Sequence, residues 1–165
     1  MIDLYTWHTP NGRKVSIMLE EIGMPYNTFP INIAKDEQFQ PHFLEVSPNN
    51  RIPAIVDKEN NNYSLFESGA ILMYLAEKSG KLINKSNSDE YYRTIEWLMW
   101  QMGGVGPMFG QVHHFVKYNK GKSAYAEERY SKEARRLYGV MDKRLGQHQY
   151  MSGKEYSIAD ISIWP

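Results

Sequence analysis

Hydrophobic and polar positions change rhythm several times along this chain, and each change predicts an element. The opening residues 1–5 read as a short strand. Thr9-Pro10-Asn11-Gly12 is a turn signal. Val15, Met18, Leu19 and Ile22 then recur at helical spacing, with Gly23 placed as a C-terminal cap. Residues 26–33 alternate weakly, as a second strand does, and residues 41–46 fit a short helix. Two more short strands fall at 52–56 and 63–66, and the polar run Asn60-Asn61-Asn62 between them fits a hairpin turn. Residues 68–78 form an amphipathic helix, with Ser68 as its N-cap and Gly80 as its stop. The order β-α-β-α-β-β-α describes a small α/β unit over residues 1–80.

Residues 81–88 are polar and read as a linker. Beyond them the pattern is helical. Residues 89–118 carry Tyr92, Ile95, Leu98, Met99 and Met102 at core-like spacing, interrupted by Gly103-Gly104-Val105-Gly106-Pro107, a cluster that kinks a helix or admits close approach. Residues 123–145 form a second, charge-dense helix with apolar contacts expected at Ala134, Leu137, Val140, Met141 and Leu145. Ser157-Ile158-Ala159-Asp160 reads as a capping box with an aspartate in the place of the usual glutamate. It opens a helix that is expected to run further than Pro165. The sequence is therefore expected to be truncated, and residues 89–165 an incomplete all-helical domain.

Composition narrows the function. The 165 residues are 42% hydrophobic and carry no formal net charge, so a core is available and the basic excess that nucleic-acid binding requires is lacking. No apolar run reaches membrane-spanning length, and no secretion signal precedes the first strand, so a cytoplasmic location is expected. There is no cysteine. A disulfide framework, a cysteine-ligated metal and a protein thiol nucleophile are thereby excluded, and any thiol chemistry must use a thiol brought by a ligand.

Two stretches carry chemistry. In Arg51-Ile52-Pro53-Ala54-Ile55-Val56-Asp57 a strand is entered through a proline, which leaves neighbouring backbone groups able to pair with a ligand. In Leu65-Phe66-Glu67-Ser68-Gly69 a strand runs straight into a helix, whose N-terminus attracts a carboxylate. Together they describe a pocket that reads a small peptide by its backbone and its terminal carboxylate.

With these stretches the chain resembles a glutathione transferase. Thr9-Pro10-Asn11-Gly12-Arg13-Lys14, Ser47-Pro48-Asn49-Asn50-Arg51-Ile52-Pro53 and Trp100-Gln101-Met102-Gly103-Gly104-Val105-Gly106-Pro107-Met108, with Gly110-Gln111 and His113-His114-Phe115, are similar to the bacterial Nu class of glutathione-dependent disulfide-bond oxidoreductases. The resemblance implies an α/β plus all-α fold, with a thioredoxin-like N-terminal domain followed by a helical C-terminal domain. It implies glutathione as co-substrate without a metal, and a homodimer. Two glutathiones, or the disulfide, would occupy a cleft between the halves.

The implied roles are specific. Ser68 holds the γ-glutamyl carboxylate and Glu67 pairs with its ammonium. The backbone of Ile52, before a cis Pro53, pairs with the cysteinyl part. Thr9 and Asn11 stand beside the sulfur, where each can donate a hydrogen bond to a thiolate; Tyr5 is not expected to activate the thiol. Asn49 and Arg51 either reach the glycyl end or form a solvated loop. Arg129, in a segment similar to one whose arginine faces glutathione, is either a ligand contact or part of a charged helix face. The adjacent His113 and His114 lack metal-site spacing and read as helix surface or a dimer contact. Gly103 to Gly110 permit close helix packing or a cleft wall. The function implied is reduction of a small disulfide by bound glutathione; conjugation of glutathione to an electrophile and non-catalytic binding are the alternatives.

Overall fold

The computed structural model describes residues 1–165, which divide into two compact units, 1–83 together with 164–165, and 84–163. In the first unit, strands β1 (Ile2–Thr6), β2 (Tyr26–Pro30), β3 (Ala54–Asp57) and β4 (Tyr63–Phe66) form one sheet in the order β2-β1-β3-β4. β1 pairs parallel with β2, placing Ile2 opposite Tyr26, and antiparallel with β3, placing Ile2 opposite Asp57. β3 and β4 are an antiparallel hairpin. Its turn carries Asn61 and Asn62 at positive φ, which asparagine tolerates better than most residues.

The sheet's two faces follow from strand alternation. Tyr5, Ala54 and Phe66 share one face and pack with Ile31 and with Phe43 of the short helix α2 (Pro41–Leu44). Ile2, Leu4 and Ile55 alternate with them and are fully buried as well. Helices α1 (Pro10–Ile22) and α3 (Ser68–Ser79) pack against each other. Val15, Met18 and Leu19 of α1, and Ile71, Leu72, Leu75 and Ala76 of α3, are all fully buried. Both helices end at a left-handed glycine, Gly23 (φ 69°) and Gly80 (φ 66°).

β2 is shorter than the alternation of residues 26–33 predicts. After Pro30 the chain takes two single 3₁₀ turns, residues 33–35 and 37–39. Local side chains supply the hydrogen bonds that a longer strand would need: Ala34 N–H donates to Asn32 Oδ1 at 3.0 Å, and Asn32 N–H donates to Glu37 Oε2 at 2.6 Å. β3 begins at Ala54 rather than at residue 52, because Pro53 has no N–H for the ladder.

The second unit is helical. α4 (Asp89–Trp100), capped by Ser88, continues through a π segment at 101–105 into α5 (Gly106–Val112) and a second π segment at 113–118. The glycine cluster thus widens the helix instead of ending it. The expected buried stripe is partly displaced. Tyr92 and Met99 are exposed, whereas Thr94, Leu98, Gln101 and Val105 are buried at spacings of four, three and four. The Thr94 hydroxyl donates to the Glu90 carbonyl at 3.1 Å, so a polar residue sits satisfied where an apolar one is expected.

α6 (Ala124–Leu145) is capped by Ser123; Leu137 is buried, but Leu145 is exposed. His113 and His114 are both exposed. α7 (Ile158–Ile163) packs on α4 and opens with the expected box: Asp160 Oδ2 accepts from Ser157 N–H at 3.0 Å, and Ser157 Oγ accepts from Ala159 N–H at 3.3 Å. No helix is long and apolar enough to cross a membrane.

Candidate functional site

The site is assembled at the ends of three elements of the first unit. α1 begins just beyond β1. Thr9 is its N-cap, extended at φ −128° and ψ 159°, and its Oγ1 accepts from Gly12 N–H at 3.2 Å. That bond uses a lone pair and leaves the hydroxyl hydrogen available for donation. Pro10 follows at the first helical position, where its missing N–H costs nothing. Gly12 allows the turn to descend on the end of β1: a methyl there would collide with Thr6 Oγ1 and the Trp7 carbonyl. Asn11 is exposed between them, and its Oδ1 accepts from Lys14 Nζ at 2.9 Å. Lys14 is only 2% exposed, and burial lowers its pKa to about 8.

The second wall is the loop before β3. Asn50 adopts φ 48°, and Ser47 closes the loop by donating its hydroxyl to the Arg51 carbonyl at 2.8 Å. The Ile52–Pro53 peptide is cis, as the resemblance implies.

The third wall is the junction of β4 and α3. Ser68 is not the N-cap that its residue type predicts. The chain reverses at Glu67, which occupies the cap position at φ 72° and ψ 113° without a side-chain cap hydrogen bond, so Ser68 is already the first helical residue. A non-glycine residue held in such a region costs about 1–3 kcal/mol and persists where the surrounding structure enforces it. Ser68 is buried, and Asn49 Nδ2 makes a long contact of 3.4 Å to Glu67 Oε1 that links the loop to the junction.

Asn11, Arg51, Ile52, Pro53, Glu67 and Ser68 line one cavity of about 140 Å³. Six of the nine residues nominated from sequence therefore share one niche, smaller than the several hundred Å³ of a whole small-molecule site and suited to part of a ligand. Asn11 of the first turn of α1 and Ser68 of the first turn of α3 both line it, so two helix N-termini lend it positive potential. Arg51 and Glu67 add one charge of each sign. Thr9 and Asn49 adjoin the niche through Asn11 and Glu67 without lining it. Arg129 belongs to the other unit, where it is exposed and lines a cavity of about 660 Å³ with Met108, Tyr125, Tyr130 and Arg136. No group of three His, Cys, Asp or Glu side chains is placed to hold a metal ion.

Sequence reasoning passed over Lys14. The available signal was its position three residues after Asn11 on a helix, which puts the two side chains on one face.

The chain is similar to known proteins along its length. Residues 1–77 match the model of the glutathione S-transferase N-terminal domain. Among curated proteins, the chain is 49% identical over 169 residues to the disulfide-bond oxidoreductase YfcG of Escherichia coli, an alignment that covers all of this chain and 78% of that protein. Among solved structures, it is 52% identical to a glutathione transferase family member from Pseudomonas fluorescens with two glutathione bound, at a TM-score of 0.93 over 98% of this chain and 73% of that one. It is 48% identical to a glutathione transferase from Pseudomonas putida with one glutathione disulfide bound per subunit, at a TM-score of 0.90 over 98% of this chain and 72% of that one. A thioredoxin-like sheet, a niche between two helix N-termini and a cis proline, and these likenesses over the whole length lead to one assignment: the chain belongs to the glutathione S-transferase family.

Proposed function

We propose that this protein is an enzyme that reduces disulfides with glutathione, using the thiolate of bound glutathione in place of a protein cysteine. The observation that carries this reading is the niche itself, where the N-terminal turns of α1 and α3 meet the Ile52–Pro53 loop in a chain without cysteine. Ser68 and the α3 N-terminus bind the γ-glutamyl carboxylate, Glu67 its ammonium, and the Ile52 backbone the cysteinyl unit. Arg51 and Asn49 reach toward the glycyl end. Thr9 and Asn11 donate to the sulfur, and the α1 N-terminus favours its charged form. Arg129 is proposed as a further glutathione contact on the resemblance of its segment alone.

The chemistry balances with two glutathiones. The first thiolate attacks one sulfur of the substrate disulfide, expels the other half as a thiolate and leaves a mixed disulfide. A second glutathione thiolate then attacks the glutathione sulfur of that mixed disulfide, releasing the remaining substrate thiolate and glutathione disulfide. The relatives solved with two glutathiones and with glutathione disulfide hold the reductant and the product of such a cycle. The reading extends to a Nu-class homodimer acting in the cytoplasm, with residues 1–80 as the glutathione-binding domain, 81–88 as linker and 89–165 as the helical domain.

The test is turnover of hydroxyethyl disulfide by protein pretreated with iodoacetamide and freed of the reagent before glutathione is added. Full retained activity is expected, with slower turnover of chlorodinitrobenzene. Loss of activity on alkylation would point to an essential protein nucleophile such as a histidine or lysine and overturn the reading that the glutathione thiolate alone does the chemistry. Faster turnover of chlorodinitrobenzene would make conjugation the main reaction, and absence of glutathione binding by calorimetry would make the protein a non-catalytic member of the fold.

A further inference from the structure

We infer that Lys14 is a positioning residue for this reaction: its ammonium holds the side-chain oxygen of Asn11, turns the amide N–H₂ toward the niche and so fixes Asn11 as a donor to the glutathione sulfur. The inference rests on the proposed placement of the sulfur beside Asn11.

An asparagine side chain is ambivalent. It offers an acceptor on one side and two donors on the other, and an unconstrained amide at a thiol site can accept from the neutral S–H as readily as it donates to S⁻. Only donation favours the thiolate. Lys14 removes the ambivalence. A protonated amine has donors and no acceptor, so the amide atom facing it at 2.9 Å is the oxygen. Burial lowers the Lys14 pKa only to about 8, so the amine is largely protonated at neutral pH. The remaining amide group, N–H₂, is the one left for the cavity that Asn11 lines.

The burial of Lys14 supports a role beyond solubility. Lysine is almost never fully buried, because taking an ammonium out of water is costly, yet this one is 2% exposed within the first turns of α1. A methionine would fill the same length of space without that cost. What methionine lacks is the N–H that orients the Asn11 amide.

The experiment compares Lys14→Met, Asn11→Ala and the double variant. The readouts are the titration of bound glutathione, followed by thiolate ultraviolet absorbance, and kcat and KM for hydroxyethyl disulfide reduction. Lys14→Met is expected to raise the thiol pKa by about one unit, the equivalent of one weakened charge-assisted hydrogen bond. It should lower kcat about five- to tenfold, leave the KM for glutathione nearly unchanged, and have no further effect in the Asn11→Ala background. Lys14→Arg, which keeps a donor, should recover part of the loss.

An unshifted titration in Lys14→Met, or the same fold loss with and without Asn11, overturns the inference. If Asn11→Ala also leaves the titration unshifted, the fault lies in placing Asn11 at the sulfur. If Asn11→Ala shifts it and Lys14→Met does not, only the role of Lys14 falls. Asn11→Asp tests amide polarity with Lys14 intact, so it serves even where the methionine variant does not fold. Its carboxylate takes the ammonium on one oxygen and presents the other to the sulfur, and a thiol pKa above that of Asn11→Ala is expected. A value at or below it overturns the donor orientation.

Discussion

Ser68 sits where two properties of a helix start coincide: its own hydroxyl and the positive end of the α3 dipole. Because Glu67 occupies the cap position without using its side chain for capping, a ligand carboxylate can complete that helix end. Ser68→Ala is therefore expected to weaken glutathione binding by about 1.5–3 kcal/mol, the range for a hydrogen bond to a charged group, measured by calorimetry. An unchanged affinity would place the carboxylate elsewhere. At this scale the sequence was informative where residue type limits the chemistry. Proline before a strand, asparagine and threonine in a helix-opening turn, and serine after a strand each have few uses. Lys14 was not legible, because a lysine in a polar stretch ordinarily faces water. Its burial arises within the helix pair α1 and α3, which packs only on folding, so the spacing to Asn11 signals a shared face but not burial.

Among the elements, α3 is tied to the sheet at its far end as well as at the niche. Asp57, the last residue of β3, is fully buried and accepts from Tyr74 Oη at 2.6 Å, Lys78 Nζ at 2.7 Å and Glu59 N–H at 2.9 Å. Burial alone would raise the Asp57 pKa, but the bonds from Lys78, Tyr74 and the Glu59 backbone outweigh it and hold the carboxyl below its ordinary value. A depressed folded-state pKa gives stability that is present above the unfolded-state value, near pH 4, and is lost as pH falls through the folded one. Lys78→Met should lower the midpoint of urea unfolding at neutral pH, and should move the onset of acid unfolding to higher pH. An unaltered acid limb would show that Asp57 is held by its other partners alone. Helix ends at Gly23 and Gly80 and the Asn60-Asn61-Asn62 turn were readable because each depends on neighbours in sequence. The buried stripe of α4 was not, because Thr94 and Gln101 carry it while Tyr92 and Met99 face outward. Polar residues that find their partners after folding hide the face that apolar periodicity is meant to reveal.

For the molecule as a whole, helices and sheet differ in how far along the chain their backbone hydrogen bonds reach, although α7 also packs on the distant α4. α4, the π segments and α5 follow one another without a break, whereas β1 lies between strands that begin at residues 26 and 54. Pairing Ile2 with Asp57 requires closing a loop of more than fifty residues, and the niche draws on residues spread from 11 to 68. Loop closure over such distances slows folding, while helices gain their hydrogen bonds locally. In refolding from urea, far-ultraviolet helical signal should therefore develop ahead of the ability to bind glutathione; simultaneous recovery of both would mean that sheet closure governs the entire chain. Because β1 is central, Ile2 holds its register against both β2 and β3, so that register is expected to set late in refolding. On a ribosome the same arrangement has a simple meaning: β1 must wait for its antiparallel partner β3, and a nascent chain has no complete niche until Ser68 has emerged.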